Sequence, residues 1–201
     1  MIQVSENIFC AGNSHIIRGL VIPLTEGIKP IADEYPVTEE YDFELDSRPK
    51  AHGLSEIAGI VGITTFVTSW VATTFLNEVY TAKLSPLIKE KFGSYFSGEK
   101  GERKCALTIT TINQETKNCL IIACIGKNLE EIELMERHVE SALNYVRSAN
   151  IEKKPKDVML IVLENGKLDL DIQVFEKYEQ AIMKLKGMYP IKLPNVREKN
   201  S

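Results

Sequence analysis

The sequence predicts an α+β protein, in which an antiparallel sheet of two hairpins carries amphipathic helices on one face. An apolar helix and a strand- and loop-rich N-terminal segment precede this unit. Three observations predict this class. Residues 105–187 follow the order hairpin, helix, hairpin, helix. Residues 57–77 form an uncharged apolar run, and residues 1–52 contain short apolar runs broken by prolines.

The N-terminal segment, residues 1–52, is acidic. Residues 1–56 carry ten acidic and four basic side chains, a net charge of -6, whereas the whole chain carries -4. Apolar and acidic residues alternate over residues 40–46, which predicts a strand with one carboxylate face. We interpret that face as a docking surface for a basic partner or as a charged edge strand that prevents sheet aggregation. Its acidic residues are Glu40, Asp42, Glu44 and Asp46.

The second segment, residues 53–98, is predicted to hold an apolar helix over residues 57–77 and a shorter helix after Pro86. At helical spacing, small side chains align along one face of the apolar helix, as in closely packed helix pairs. This helix-packing seam comprises Ala58, Gly62, Thr65, Ser69 and Ala72. A strand is the alternative, because threonine, valine and isoleucine favour strands, although no strict alternation supports it.

The third segment, residues 99–187, has the most regular patterning. Residues 105–112 and 119–125 are predicted to pair as a first hairpin, and residues 129–149 have the apolar spacing of an amphipathic helix. A second hairpin turns at Asn165-Gly166, a pair that suits a type I′ turn. Residues 174–186 are predicted to form the last helix, and residues 188–201 a tail.

The motif Asp169-Leu170-Asp171 is the one candidate metal site, because carboxylates spaced by two on a strand project to the same side and suit magnesium. It resembles the DxD element of the polymerase-β-like nucleotidyltransferases, which implies metal-dependent nucleotide chemistry. That family has a Gly-Ser pair at a helix start shortly upstream, whereas residues 156–166 here read as a strand and a turn. We therefore interpret Asp169 and Asp171 as residues of a solvated strand face, and predict no metal site.

No other motif predicts catalysis or a cofactor. The four cysteines lack zinc-site spacing, the three histidines lie far apart in the sequence, and we find no phosphate-binding glycine loop or nucleophile elbow. The sequence contains no cluster of basic residues of the kind that binds nucleic acid. We therefore predict a protein without cofactors that is not an enzyme.

Two functions are the leading hypotheses, and a metal-dependent enzyme that uses Asp169 and Asp171 is a third. The first is a cytoplasmic, non-enzymatic binding or accessory protein that contacts another protein, or its own copies, through the acidic strand and the apolar helix. The second is a membrane-associated protein with a single span over residues 57–77, since about 20 apolar residues can cross a bilayer. The N-terminus lacks the basic stretch followed by an apolar stretch that marks a secretory signal, and the four cysteines are expected to be reduced thiols. Both observations favour the cytoplasm.

Overall fold

The computed structural model describes residues 2–12, 14–38, 57–67, 75–98, 104–148, 154–164, 167–168 and 171–187. The predicted acidic strand over residues 40–46 and the predicted tail over residues 188–201 lie outside these ranges.

Eight described strands form one sheet, and helices cover it. The strands are β1 (Ile2–Val4), β2 (Phe9–Gly12), β3 (Ile57–Val67), β4 (Lys104–Asn113), β5 (Cys119–Gly126), β6 (Val158–Glu164), β7 (Lys167–Leu168) and β8 (Gln173–Phe175). Helix α1 joins Ser14–Ile16, the π-helical Ile17–Val21 and Ile22–Glu34. Helix α2 joins the π-helical Phe75–Leu84 and Ser85–Gly98. The helices α3 (Leu129–Ser148) and α4 (Tyr178–Gly187) follow. The predicted α+β class is confirmed.

The centre of the sheet has the strand order β3, β4, β5, β6. The β4–β5 pair is antiparallel, but β3 runs parallel to β4 and β5 runs parallel to β6. The two outer positions are each filled by a pair of short strands, β1 and β2 beside β3, and β7 and β8 beside β6, all of them antiparallel to their neighbour. The sheet is therefore mixed, although most of its strand pairs are antiparallel.

Helices pack on both faces of the sheet, and the prediction that they share one face is wrong. The first face is covered by α1, α2 and α3, whose side chains form one core with alternate strand residues such as Ile109 and Ile161. The second face packs against α4 through Tyr178, Ala181 and Leu185. Because β4, β5 and β6 are buried on both sides, they read in the sequence as nearly continuous apolar runs.

The apolar helix predicted over residues 57–77 is wrong over Ile57–Val67, which form the strand β3. Every residue from Gly59 to Thr65 is buried, so the strand lacks the alternation that marks a half-exposed strand. The predicted seam is also wrong. Gly62 pairs with Thr108 and Thr65 pairs with Thr111. The two residues are three positions apart in one strand, so they face opposite sides of the sheet. Ala58 lies in β3, and Ser69 and Ala72 lie outside the described residues.

The N-terminal segment contains a helix that its prolines did not suggest. Pro23 directly follows the π-helical Ile17–Val21 inside α1, and Pro30 is exposed within Ile22–Glu34. The apolar residues Leu24, Ile28 and Ile31 recur at helical spacing and are buried against the first face of the sheet. Burial of this stripe outweighs the cost of an internal proline.

The last part of the chain differs from the prediction of a helix beginning at Val174. Residues Gln173–Phe175 form β8, and the helix begins at Tyr178. Leu168 of β7 pairs with Leu163, whereas Gln173 of β8 pairs with Leu160. β7 and β8 are therefore two short strands along the same edge of β6.

Candidate functional site

The two outer edges of the sheet differ in their covering. Beside β1, the residues that follow α1 fold back over the edge, where the backbone N–H of Val4 donates to the carbonyl of Tyr35 at 2.8 Å. The side-chain Nε2 of Gln3 donates to Oγ1 of Thr38 at 2.7 Å, and Gln3 is 2% exposed. The β1 part of this edge is therefore covered by the chain itself.

The opposite edge is formed by β7 and β8, and no strand among the described ranges pairs with its outer side. Val174 lies at the middle of β8 and is 41% exposed, which is unusual for a strand valine in this sheet. We call residues 171–176 the β8 edge. An exposed strand edge presents backbone donors and acceptors that another extended chain can pair with.

The charge near the β8 edge is mainly negative. Asp171 and Glu176 are exposed at its two ends, and Glu179 is exposed in the first turn of α4. Lys177 is the basic residue that lies among them. An approaching basic chain would meet a favourable field here, which increases association rates more than it increases affinity.

A cluster of hydroxyl groups lies on the second face, where β3 and β4 run side by side. Thr64 pairs in register with Thr110, and Gly62 pairs with Thr108. The hydroxyl oxygen of Thr110 lies 3.4 Å from that of Tyr178, which projects from α4. We call Thr64, Thr108, Thr110 and Tyr178 the hydroxyl cluster. All four residues are buried, with Thr64 1% exposed and Thr108 fully buried.

Two hydroxyl groups of the cluster make no hydrogen bond of normal geometry within the described residues, although Thr108 lies close enough to the Tyr178 hydroxyl to offset part of the rise in the Tyr178 pKa. Neither Oγ1 of Thr64 nor Oγ1 of Thr108 has a partner of good geometry within the described part of the chain. Leaving a buried hydroxyl unpaired costs roughly 1–3 kcal/mol, so most proteins avoid it. On the first face, by contrast, Oγ1 of Thr65 donates to the carbonyl of Thr110 at 3.3 Å.

The N-terminus of α3 follows β5 directly, at the end of a parallel strand where α/β proteins commonly bind ligands. Its first donors are occupied by neighbouring side chains. Oδ1 of Asn128 accepts a hydrogen bond from the N–H of Glu131 at 2.8 Å, and Oε2 of Glu131 accepts one from the N–H of Lys127 at 2.9 Å. We interpret this arrangement as a helix cap.

The cysteine thiols are poor nucleophiles in the folded protein. All four cysteines are free and buried. Burial raises the pKa of the Cys10 thiol to about 11, and it raises the pKa of Cys119 and of Cys124 well above the ordinary value. Because the thiolate is the reactive form, these side chains remain largely inert near neutral pH.

The raised thiol pKa values predict a loss of stability in alkali. Between pH 9 and 11 the folded protein keeps the Cys10 proton while the unfolded chain loses it, so the free energy of unfolding falls as the pH rises. We expect Cys10 alone to contribute a loss of about 1 kcal/mol between pH 8 and 10. Urea unfolding at the two pH values measures it.

The Cys10→Ala variant provides the control for this pH dependence. Its free energy of unfolding is expected to fall less steeply between pH 8 and 10 than that of the parent protein. Equal slopes for the two proteins would contradict the assignment to Cys10.

The residues predicted from sequence as functional do not assemble into one site. Glu40, Asp42, Glu44 and Asp46 lie outside the described residues. Of the Asp169–Asp171 pair, only Asp171 is described, and it is exposed near the β8 edge. The described residues contain no group of three or more histidine, cysteine, aspartate or glutamate side chains that could hold a metal ion.

Neither the β8 edge nor the hydroxyl cluster was predicted from the sequence. The prediction ended the second hairpin at Gln173 and began the last helix at Val174, although Gln173-Val174-Phe175 has strand composition. The hydroxyl cluster could have been recognised from Thr108 and Thr110, which alternate with Leu107 and Ile109 in a strand predicted to be buried.

Comparisons of the chain with models of protein families, with curated proteins and with solved structures find no match. Within the described ranges, no helix has both the length and the apolar character needed to cross a membrane.

Proposed function

We propose that this chain is a non-enzymatic binding or accessory protein that acts through protein–protein contacts. The observation that carries the proposal is the difference between the two sheet edges: the chain covers β1 with its own residues, whereas the β8 edge exposes Val174. Natural sheets usually protect such an edge, so an exposed one is a candidate for strand addition by a partner.

The partner we propose is an extended, basic segment of another protein. Backbone hydrogen bonds to β8 would provide affinity, and the exposed Val174 side chain would contact an apolar residue of the segment. Asp171, Glu176 and Glu179 supply the complementary charge. The acidic residues Glu40, Asp42, Glu44 and Asp46 add negative charge to the same chain, and their part in docking stays a prediction.

The chemistry of the buried groups is consistent with binding. Cys10, Cys119 and Cys124 are buried, and burial raises the pKa of each thiol. The pKa of the Tyr178 phenol is also raised by burial, so its hydroxyl stays protonated at neutral pH. Neutral, buried groups of this kind stabilise a fold or hold a ligand more readily than they activate a substrate.

The experiment uses a fluorescent peptide of alternating valine and lysine and measures its binding by anisotropy. We expect the parent protein to bind it more tightly than a peptide of alternating valine and glutamate, and to lose affinity as the salt concentration rises. Val174→Lys is expected to weaken binding about tenfold, a loss of roughly 1.4 kcal/mol, because it places a like charge against the peptide.

Ile22→Lys provides a matched control, since Ile22 is 48% exposed but lies on α1, away from the β8 edge. It makes the same change in net charge and should leave binding nearly unchanged. Equal losses in the two variants, or equal binding of the basic and acidic peptides, would refute docking at the β8 edge.

A further inference from the structure

The side chains of the β8 edge form two rows, one on each face of the sheet. Val174 pairs with Met159, whose side chain belongs to the first-face core, and Ile172 packs against the same core. Because side chains alternate along a strand, Gln173 and Phe175 project to the second face. Phe175 packs against the second-face core, in agreement with this assignment. A strand added beside β8 would therefore meet different residues on its two faces.

The row on the first face is apolar. Ile172 is half-buried and Val174 is 41% exposed, so apolar surface remains uncovered beside the first-face core. In an added strand, the residue directly opposite Val174 would have its Cβ atom about 5 Å from that of Val174. Contact between two apolar side chains there would remove apolar surface from water on both chains. This face of the edge therefore favours an apolar residue in the added strand.

The row on the second face is polar and lies beside acidic groups. Gln173 is half-buried and pairs with Leu160 of the second-face core. Helix α4 packs on this face and contacts β8, and its first turn carries the exposed Glu179. The same alternation places the exposed Asp171, two residues before Gln173, on this face. Residues 171–179 contain three acidic side chains and one basic one, so the local charge is negative.

We infer that the β8 edge selects a strand with one apolar face and one basic face, and that Gln173 sets the preference for charge. The inference rests on the proposed function. A lysine opposite Gln173 would donate a hydrogen bond to Oε1 of Gln173 and lie on the same face as Glu179. A glutamate in that position would meet like charge. The opposite phase, with lysine over Val174, would place a charge against apolar groups, which is unfavourable.

The experiment measures the binding of fluorescent peptides to charge variants of Gln173 in the full chain by anisotropy. Gln173→Glu should bind the alternating valine and lysine peptide about threefold more tightly than the parent protein, because opposite charges directly across two strands attract. Gln173→Lys should bind that peptide about threefold more weakly and the valine and glutamate peptide about threefold more tightly. Thermal unfolding checks that both variants remain folded.

A third peptide tests the apolar face. In a peptide of alternating serine and lysine, the charge is kept but the apolar contact with Val174 is lost. The parent protein should bind it about fivefold more weakly than the valine and lysine peptide.

Gln114→Glu and Gln114→Lys are the matched controls for the charge changes. Gln114 is also half-buried, but it lies in the turn between β4 and β5, and β6 separates β5 from β8. Both control variants should bind all three peptides nearly as the parent protein does, because salt screens charges at this separation.

The inference is overturned if changes at Gln173 alter binding no more than changes at Gln114, or if serine and valine peptides bind equally. Docking at the β8 edge would stand in either case, provided that Val174→Lys still weakens binding of the valine and lysine peptide. If the parent protein does not bind that peptide at all, the proposed function and the inference both fail.

Discussion

Replacing Gly62 by alanine is expected to destabilise the protein by about 2–3 kcal/mol, because overpacking a well-packed interior typically costs this much. The added methyl group would lie 2.4 Å from Oγ1 of Thr108 and 3.3 Å from Cβ of Phe9. Thr108 has a stiff β-branched side chain, and Cβ of Phe9 is fixed by the backbone, so neither can move away easily. Urea unfolding of the two proteins measures the difference.

Gly98→Ala is the matched control for the glycine substitution. Among the described residues, no atom lies within 4 Å of a Cβ built at Gly98, the last residue of α2. The free energy of unfolding should therefore change by about 0.5 kcal/mol or less. The variant Gly62→Ala/Thr108→Ala should recover about 1 kcal/mol relative to the sum of the two single changes. Strict additivity would show that contact with the Thr108 side chain is not the cause.

Replacing Phe92 by alanine is expected to have the largest effect on stability, a loss of about 3–5 kcal/mol. Phe92 is fully buried, and it has the largest volume of the fully buried side chains in the described part of the protein. It lies on α2 within the first-face core, which also includes α1, α3 and the strands. Removing its ring would leave a cavity where these layers meet, and such cavities collapse only partly.

Met183→Ala tests whether the Phe92 effect comes from burial. Met183 is an apolar residue of a helix but is 65% exposed, so its truncation should cost about 0.5 kcal/mol or less. Thermal and urea unfolding should rank the two variants in the same order. If Phe92→Ala lost no more stability than Met183→Ala, the first-face core would not be assembled as described.

The helices with one clear apolar stripe were the elements most predictable from sequence. Residues 129–149 were predicted as an amphipathic helix, and the structure has α3 at Leu129–Ser148. β4 and β5 also pair antiparallel, with Ile109 opposite Ile122, over the residues predicted to form the first hairpin. In both cases, the period of the apolar residues is set by contact with one face of a core, so local sequence carries enough information.

The remaining elements depended on contacts that local sequence does not contain. β3 is buried on both faces, and a short apolar run of that kind cannot be distinguished from a buried helix by periodicity. Gln173–Phe175, predicted as the start of the last helix, form the strand β8 by pairing with Val158, Met159 and Leu160 of β6. The hydroxyl cluster needs Thr64 and Thr110 side by side, and only the parallel pairing of β3 with β4 brings them together.

That parallel pairing also has a consequence for the order in which the fold forms. The antiparallel β4–β5 pair is closed by a short turn in which Oδ1 of Asn113 accepts from the backbone N–H groups of Glu115 and Thr116, so it can form early. Thr65 and Thr111, by contrast, are 46 residues apart, and closing so long a loop is slow. Contacts made late are absent from the folding transition state. We therefore expect Gly62→Ala to accelerate unfolding while leaving the folding rate nearly unchanged.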